Sequence, residues 1–211
     1  MLQLKYINFW EVISLAKVIG LTGSIASGKS TVSNRLKSMG YQIIDCDQIN
    51  HEILKKDNIG YTLVVKAFGS DILNADLEIN RKALGNLIFS NKDLKEKLNN
   101  ILHPLIKDIV KREIDGSSEK LIFLDCPLLF ETDFHKLCDY TIVVYVNLDT
   151  QIQRLMQRDG ITFPDALKKI YAQMPLDEKL TLADFVIDNC HSLSDLDWQI
   201  KQLLFRLERM I

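Results

Sequence analysis

Lys29 and Ser30 close the run "GLTGSIASGKST" (20–31), where Gly23, Gly28, Lys29 and Ser30 hold the fixed positions of G-x-x-x-x-G-K-S/T. A loop running from Gly23 through Ser24, Ile25, Ala26, Ser27 and Gly28 to Thr31 can turn its backbone N–H groups toward a phosphate chain. A helix beginning there adds partial positive charge. Lys29 would reach the β- and γ-phosphates, and the Ser30 hydroxyl would sit on Mg²⁺. The competing reading is a glycine-rich turn with an incidental lysine. The apolar "KVIGLT" before the loop and "KSTVSNRLKSMG" after it supply the strand and helix that the motif needs. The run therefore reads as a nucleotide-binding P-loop, with ATP and Mg²⁺ as the expected cofactors.

Phosphoryl transfer asks for positioning, charge neutralisation and a group to take the acceptor's proton. "DCDQINHEIL" follows a second apolar run and sets Asp45 and Asp47 on either side of Cys46. Strand alternation sends both carboxylates the same way, toward the mouth of a sheet. Asp47 is then a candidate base, or else only the cap of a helix beginning at Gln48. Asp125 ends "LIFLD", an apolar run then Asp, and can hold the Mg²⁺ shell through water; so short a pattern also arises by chance. Gln151, Arg154 and Arg158 fall within an arc of about 60° on a helix. Two guanidiniums on one face can fork phosphate oxygens, and the alternative is a solvated helix face.

Five apolar runs must carry these groups: "KVIGLT" (17–22), "YQIID" (41–45), "KLIFLD" (120–125), "YTIVVYV" (140–146) and "DFVID" (184–188). Nearly continuous hydrophobicity suits strands buried on both faces of a parallel sheet. Helical patterns alternate with them, so an α/β doubly wound layer is predicted, with ligands at the carboxyl ends of the strands. Residues 18–47, 116–150 and 184–211 form the expected nucleotide-binding core. Residues 48–115 are too long for a simple crossover and read as a helical substrate-binding insertion. It has a helix near 81–90 and a longer stretch, 91–115, in which Pro104 predicts a kink or a break. Residues 151–183 read as a lid built from two helical patterns. The leader, 1–17, lacks a small-residue cleavage site and reads as an extra helix, a frayed tail or a start codon placed too early.

The chain has 211 residues, 47% hydrophobic and 26% charged, ordinary for a soluble globular protein. A net charge of −2 argues against nucleic-acid binding by bulk electrostatics, so local basic residues must meet any anionic substrate. No run of about 18 or more apolar residues exists, so no membrane span is expected. Four scattered cysteines without a C-x-x-C pair read as reduced thiols in a cytoplasmic protein, and they do not cluster with the four histidines as a zinc site would require. His103 is taken as structural.

Taken together, the pieces "IGLTGSIASGKSTVS", "IIDCDQINHEI", "INRKALGNLIF", "LNNILHPLI", "LDCPLLFE", "CDYTIVVYVNLDTQIQRLMQRDG" and "ADFVIDN" resemble the dephospho-CoA kinase family over about residues 18–208. The resemblance implies phosphorylation of the ribose 3′-hydroxyl of dephospho-CoA, the last step of coenzyme A synthesis. It implies that Asp47 is the base, that Thr22 lies near the phosphates and that Arg81 belongs to the CoA-binding insertion. It also implies that Arg154 and Arg158 belong to the lid and that Asn189 lies near adenine. Three departures stand out: Ser24 replaces a second glycine, Cys46 sits between the two aspartates, and the closing N-x-G is Asn189-Cys190-His191. Another P-loop metabolite kinase is the nearest rival. A switch GTPase would need N-K-x-D after a strand, and Asn91-Lys92-Asp93 has the wrong spacing in a helical stretch.

Overall fold

The computed structural model describes residues 16–89 and 91–210. The expected leader therefore lies outside the described residues, apart from Ala16 and Lys17. Five strands form one sheet: β1 (Lys17–Gly23), β2 (Gln42–Asp45), β3 (Leu121–Asp125), β4 (Tyr140–Tyr145) and β5 (Phe185–Asp188). Their order is β2-β3-β1-β4-β5, and every pairing is parallel. All five apolar runs are strands of the predicted parallel layer.

Alternation along each strand divides the core in two. Ile122, Leu124 and Val143 face one side with Val18 and Ile44. Leu121, Phe123, Ile142 and Val144 face the other with Ile19 and Leu21. Helices α1 (Lys29–Ser38) and α9 (Leu193–Glu208) cover the second face through Val32, Leu36, Ile200 and Leu204. The first face is covered by α2 (Cys46–Ile53), α3 (Ile59–Phe68), α4 (Arg81–Phe89) and α5 (Lys92–Asp115).

Of the kink or break expected at Pro104, the break does not occur: α5 runs through Pro104 as one element. Leu98, Leu102, Ile106 and Val110 recur every four residues and are all buried in the core that α5 shares with α2, α3 and α4, so packing along the whole stripe outweighs the bond lost at the proline.

Between β4 and β5 the expected helix pair is α6 (Leu148–Asp159) and α7 (Phe163–Tyr171), and a third helix, α8 (Leu176–Leu182), was not expected. Helices α6 and α7 share a small core of Ile152, Leu155 and Ala166, which packs on Ile25 and Ala26 of the glycine-rich loop.

Candidate active site

The loop after β1 is held in a shape that few residues permit. A Cβ on Gly23 would stand 2.5 Å from Ser27 Oγ and 2.9 Å from the Val144 carbonyl oxygen. Gly28 has φ of 88°, and a Cβ there would meet Asn189 Nδ2 at 2.0 Å. Ala26 also takes a left-handed conformation. Ser24 does not, so its replacement of a glycine leaves the loop unstrained. The N–H groups of Ala26, Gly28, Lys29 and Ser30 have no partner among the described residues. The Ser27 hydroxyl is likewise buried without a partner. Free amides around an unsatisfied hydroxyl at a helix N-terminus make a cradle suited to an anion.

This cradle opens on a cavity of about 660 Å³ lined by Gly23 to Ser30, Asp47, Pro127, Leu128, Arg154, Arg158 and Gln173. Lys29 Nζ is ion-paired with Asp125, which is buried at the end of β3. A neighbouring cavity of about 240 Å³ is mostly apolar and includes Cys46, Leu98, Leu102, His103 and Cys126. Asp47, Pro127 and Leu128 line both cavities.

The aspartates at the end of β2 and the start of α2 are not arranged as strand alternation predicts. Helix α2 begins at Cys46, and Asp45 is its cap: Asp45 Oδ1 accepts from the N–H of Asp47 at 2.8 Å and of Gln48 at 3.0 Å. Asp45 is therefore turned to the helix end, and Asp47 is not the cap of a helix beginning at Gln48. Asp47 occupies the first turn with its side chain free for the cavities. Burial raises its carboxyl above the ordinary value of 3.8; Lys29 opposes the rise, while Asp45 and Asp125 add to it.

From α6, Gln151 is buried and donates to the Ile25 carbonyl at 2.7 Å. Gln173 Oε1 accepts from the Ile25 N–H at 2.8 Å. The pair grips one loop residue by both backbone groups. Arg154 lines the cavity while donating to the Asn189 carbonyl at 3.0 Å. Arg158 lines it too and pairs with Asp159 at 2.8 Å. Asp159 is held down to about 2, first by Arg158 and then by Lys169.

Other expected site residues stand behind the cavity walls. Thr22 is buried and donates to the Pro127 carbonyl at 3.0 Å. Asn189 is buried beneath the loop and donates to the Ser27 carbonyl at 2.8 Å. Arg81 reaches the His51 carbonyl on α2 at 3.4 Å, four residues from Asp47 along that helix. Thr31 follows the cradle in α1. Sequence reasoning missed Gln173, which lies in connecting sequence between α7 and α8.

No group of three or more His, Cys, Asp or Glu side chains that could hold a metal occurs among the described residues. Mg²⁺ in general needs no such group, because it is usually bound through one or two carboxylates together with substrate phosphates. The Ser30 hydroxyl on the cavity lining and Asp125 at the strand end fit that donor set.

A family profile described as dephospho-CoA kinase matches residues 17–195. A dephospho-CoA kinase from Listeria innocua is 43% identical over 200 residues, 93% of this chain and 98% of the relative. Two solved structures are each 31% identical and cover 91% of this chain. TT1252 from Thermus thermophilus has a TM-score of 0.80 and is covered over 98% of its length. A dephospho-CoA kinase from Campylobacter jejuni has a TM-score of 0.67 and is covered over 97%. On the profile and the identity together, the chain belongs to the dephospho-CoA kinase family.

Proposed function

We propose that this chain transfers the γ-phosphoryl of ATP to the ribose 3′-hydroxyl of dephospho-CoA, giving coenzyme A and ADP. The observation that carries the reading is Asp47, the carboxylate that lines both the phosphate cradle and the adjoining apolar cavity. The cradle amides and Lys29 hold the triphosphate of ATP. Lys29 exchanges its pairing with Asp125 for phosphate oxygens. Ser30 and Asp125 would hold Mg²⁺, which when bound neutralises charge on the β- and γ-oxygens. Asp47 accepts the 3′-hydroxyl proton as that oxygen attacks the γ-phosphorus. Arg154 and Arg158 stabilise charge on the transferring group from the lid.

In this reading residues 48–115 hold the acceptor, with Arg81 among them, and residues 151–183 close over the phosphates. The core comprises 18–47, 116–150 and 184–211, with Thr22 and Asn189 bracing the loop from below. The partners are small molecules rather than nucleic acid or membrane, and four free cysteines suit a cytoplasmic setting. No helix among the described residues is long and apolar enough to cross a membrane. A coupled assay of ADP release with dephospho-CoA, set against adenosine and AMP, tests the reading. Turnover should be fastest with dephospho-CoA, and equal or faster turnover with AMP would assign the chain another acceptor.

A further inference from the structure

Lys179 is the most fully buried charged side chain among the described residues, with none of it exposed. It sits on α8, away from the cavity linings, yet both of its partners lead to them. Its ammonium group donates to the Pro127 carbonyl at 2.9 Å and pairs with Glu131 Oε1 at 2.9 Å. The Pro127 carbonyl also accepts from the Thr22 hydroxyl. Glu131 Oε1 also accepts from the N–H of Met174 at 3.3 Å, next to the Gln173 that grips the loop. One network, buried at Thr22 and Lys179 and open to solvent at Glu131, thus joins the end of β1, the segment after β3 and the base of the lid.

Two donors draw the Pro127 carbonyl inward, and this fixes the Pro127–Leu128 peptide. Those residues, with Asp47, are the wall common to both cavities. We propose that Lys179 is a positioning residue: by holding the Pro127 carbonyl it sets the wall that aligns the acceptor hydroxyl at Asp47 with the nucleotide phosphates. It touches neither substrate. Misplacement of reacting groups by a fraction of a bond length costs rate far more than it costs binding of either partner alone. Loss of the ammonium should therefore lower kcat while leaving nucleotide affinity nearly unchanged.

The inference rests on the proposed reaction, so wild-type turnover with dephospho-CoA is established first; failure there sinks that reading and not this one. The test is the double variant Lys179→Met with Glu131→Gln. It removes both charges, keeps an acceptor for the Met174 N–H, and avoids stranding one buried charge. Melting temperature, affinity for a non-hydrolysable ATP analogue, and kcat are then compared with wild type. The expected result is an unchanged fold, analogue affinity within about twofold, and kcat down about tenfold or more. Normal kcat would reduce Lys179 to a structural tie, and a parallel loss of analogue affinity would make it a prop of the whole fold; either outcome overturns the proposal. If the double variant does not fold, Lys179→Gln with Glu131→Gln carries the decision. It also removes the ammonium and both charges while keeping polar side chains at the two positions, and the same kcat loss at unchanged analogue affinity is expected, with unchanged kcat refuting the proposal.

Discussion

Asp47 is free to act because Asp45 takes the structural task. With Asp45 capping α2, Asp47→Asn removes no cap. It should keep nucleotide affinity and lower kcat by about 10²-fold or more, the scale of a general-base contribution. The pH dependence has a definite sign. Burial raises the Asp47 carboxyl above 3.8, so the acid limb of kcat/KM should lie above the ordinary aspartate range. A raised folded value favours the protonated form, so the stability it contributes is present below 3.8 and lost as pH rises through the folded value. Asp47→Asn should therefore match or exceed wild-type thermal stability at neutral pH, with the difference shrinking as the pH falls. Equal kcat in the two proteins would remove Asp47 from the chemistry. Lys29 behaves differently. Lys29→Ala should abolish most turnover by removing charge from the transferring phosphoryl, and it also leaves buried Asp125 without its cation. Stranding one member of a buried pair costs about 3–5 kcal/mol. Adding Asp125→Asn should recover stability in a thermal melt without recovering turnover.

At the scale of elements, the loop and the five strands were legible because their signals are local. A motif of fixed spacing and runs of four or more apolar residues need no tertiary knowledge. What escaped was fixed by distant contacts. Gln173 meets Ile25 across 148 positions, and Lys179 meets Pro127 across 52. Of the kink or break expected at Pro104, the break does not occur for the same reason: the propensity argument is local, whereas the buried stripe of α5 is tertiary. The arc on α6 was foreseen, but its three members have separate tasks. Gln151 grips the loop, Arg154 bridges to the segment after β5, and Arg158 is tied to Asp159. Lysine retains the charge of arginine but loses the planar fork. Arg154→Lys must give up either the Asn189 carbonyl or the phosphate, so it should lower kcat about tenfold or more, about 1.4 kcal/mol. Arg158→Lys should cost less. Steady-state kinetics on both variants decide the ranking, and wild-type rates in both would reduce the arc to a solvated face.

Across the whole molecule, the sheet separates two jobs. Among the described residues, its α1 and α9 face is a packed layer with no lining residue in either of the two cavities beyond the start of α1. Its α2 to α5 face is also packed, but Leu98, Leu102 and Ile106 of α5 are at once core and cavity wall. Equal truncations on the two faces should therefore have unequal kinetic results. Ile200→Ala on α9 and Leu102→Ala on α5 both empty buried volume, and each should cost about 2–5 kcal/mol in denaturant unfolding. For Ile200→Ala the folded fraction should keep wild-type kcat and KM, because Ile200 lines neither cavity. Leu102→Ala should raise KM for dephospho-CoA and leave KM for ATP nearly unchanged, because the space it opens adjoins the acceptor cavity and not the cradle. If Leu102→Ala instead raises KM for ATP alone, the apolar cavity beside Asp47 does not receive the acceptor, and the assignment of the α2 to α5 face to acceptor binding must be redrawn.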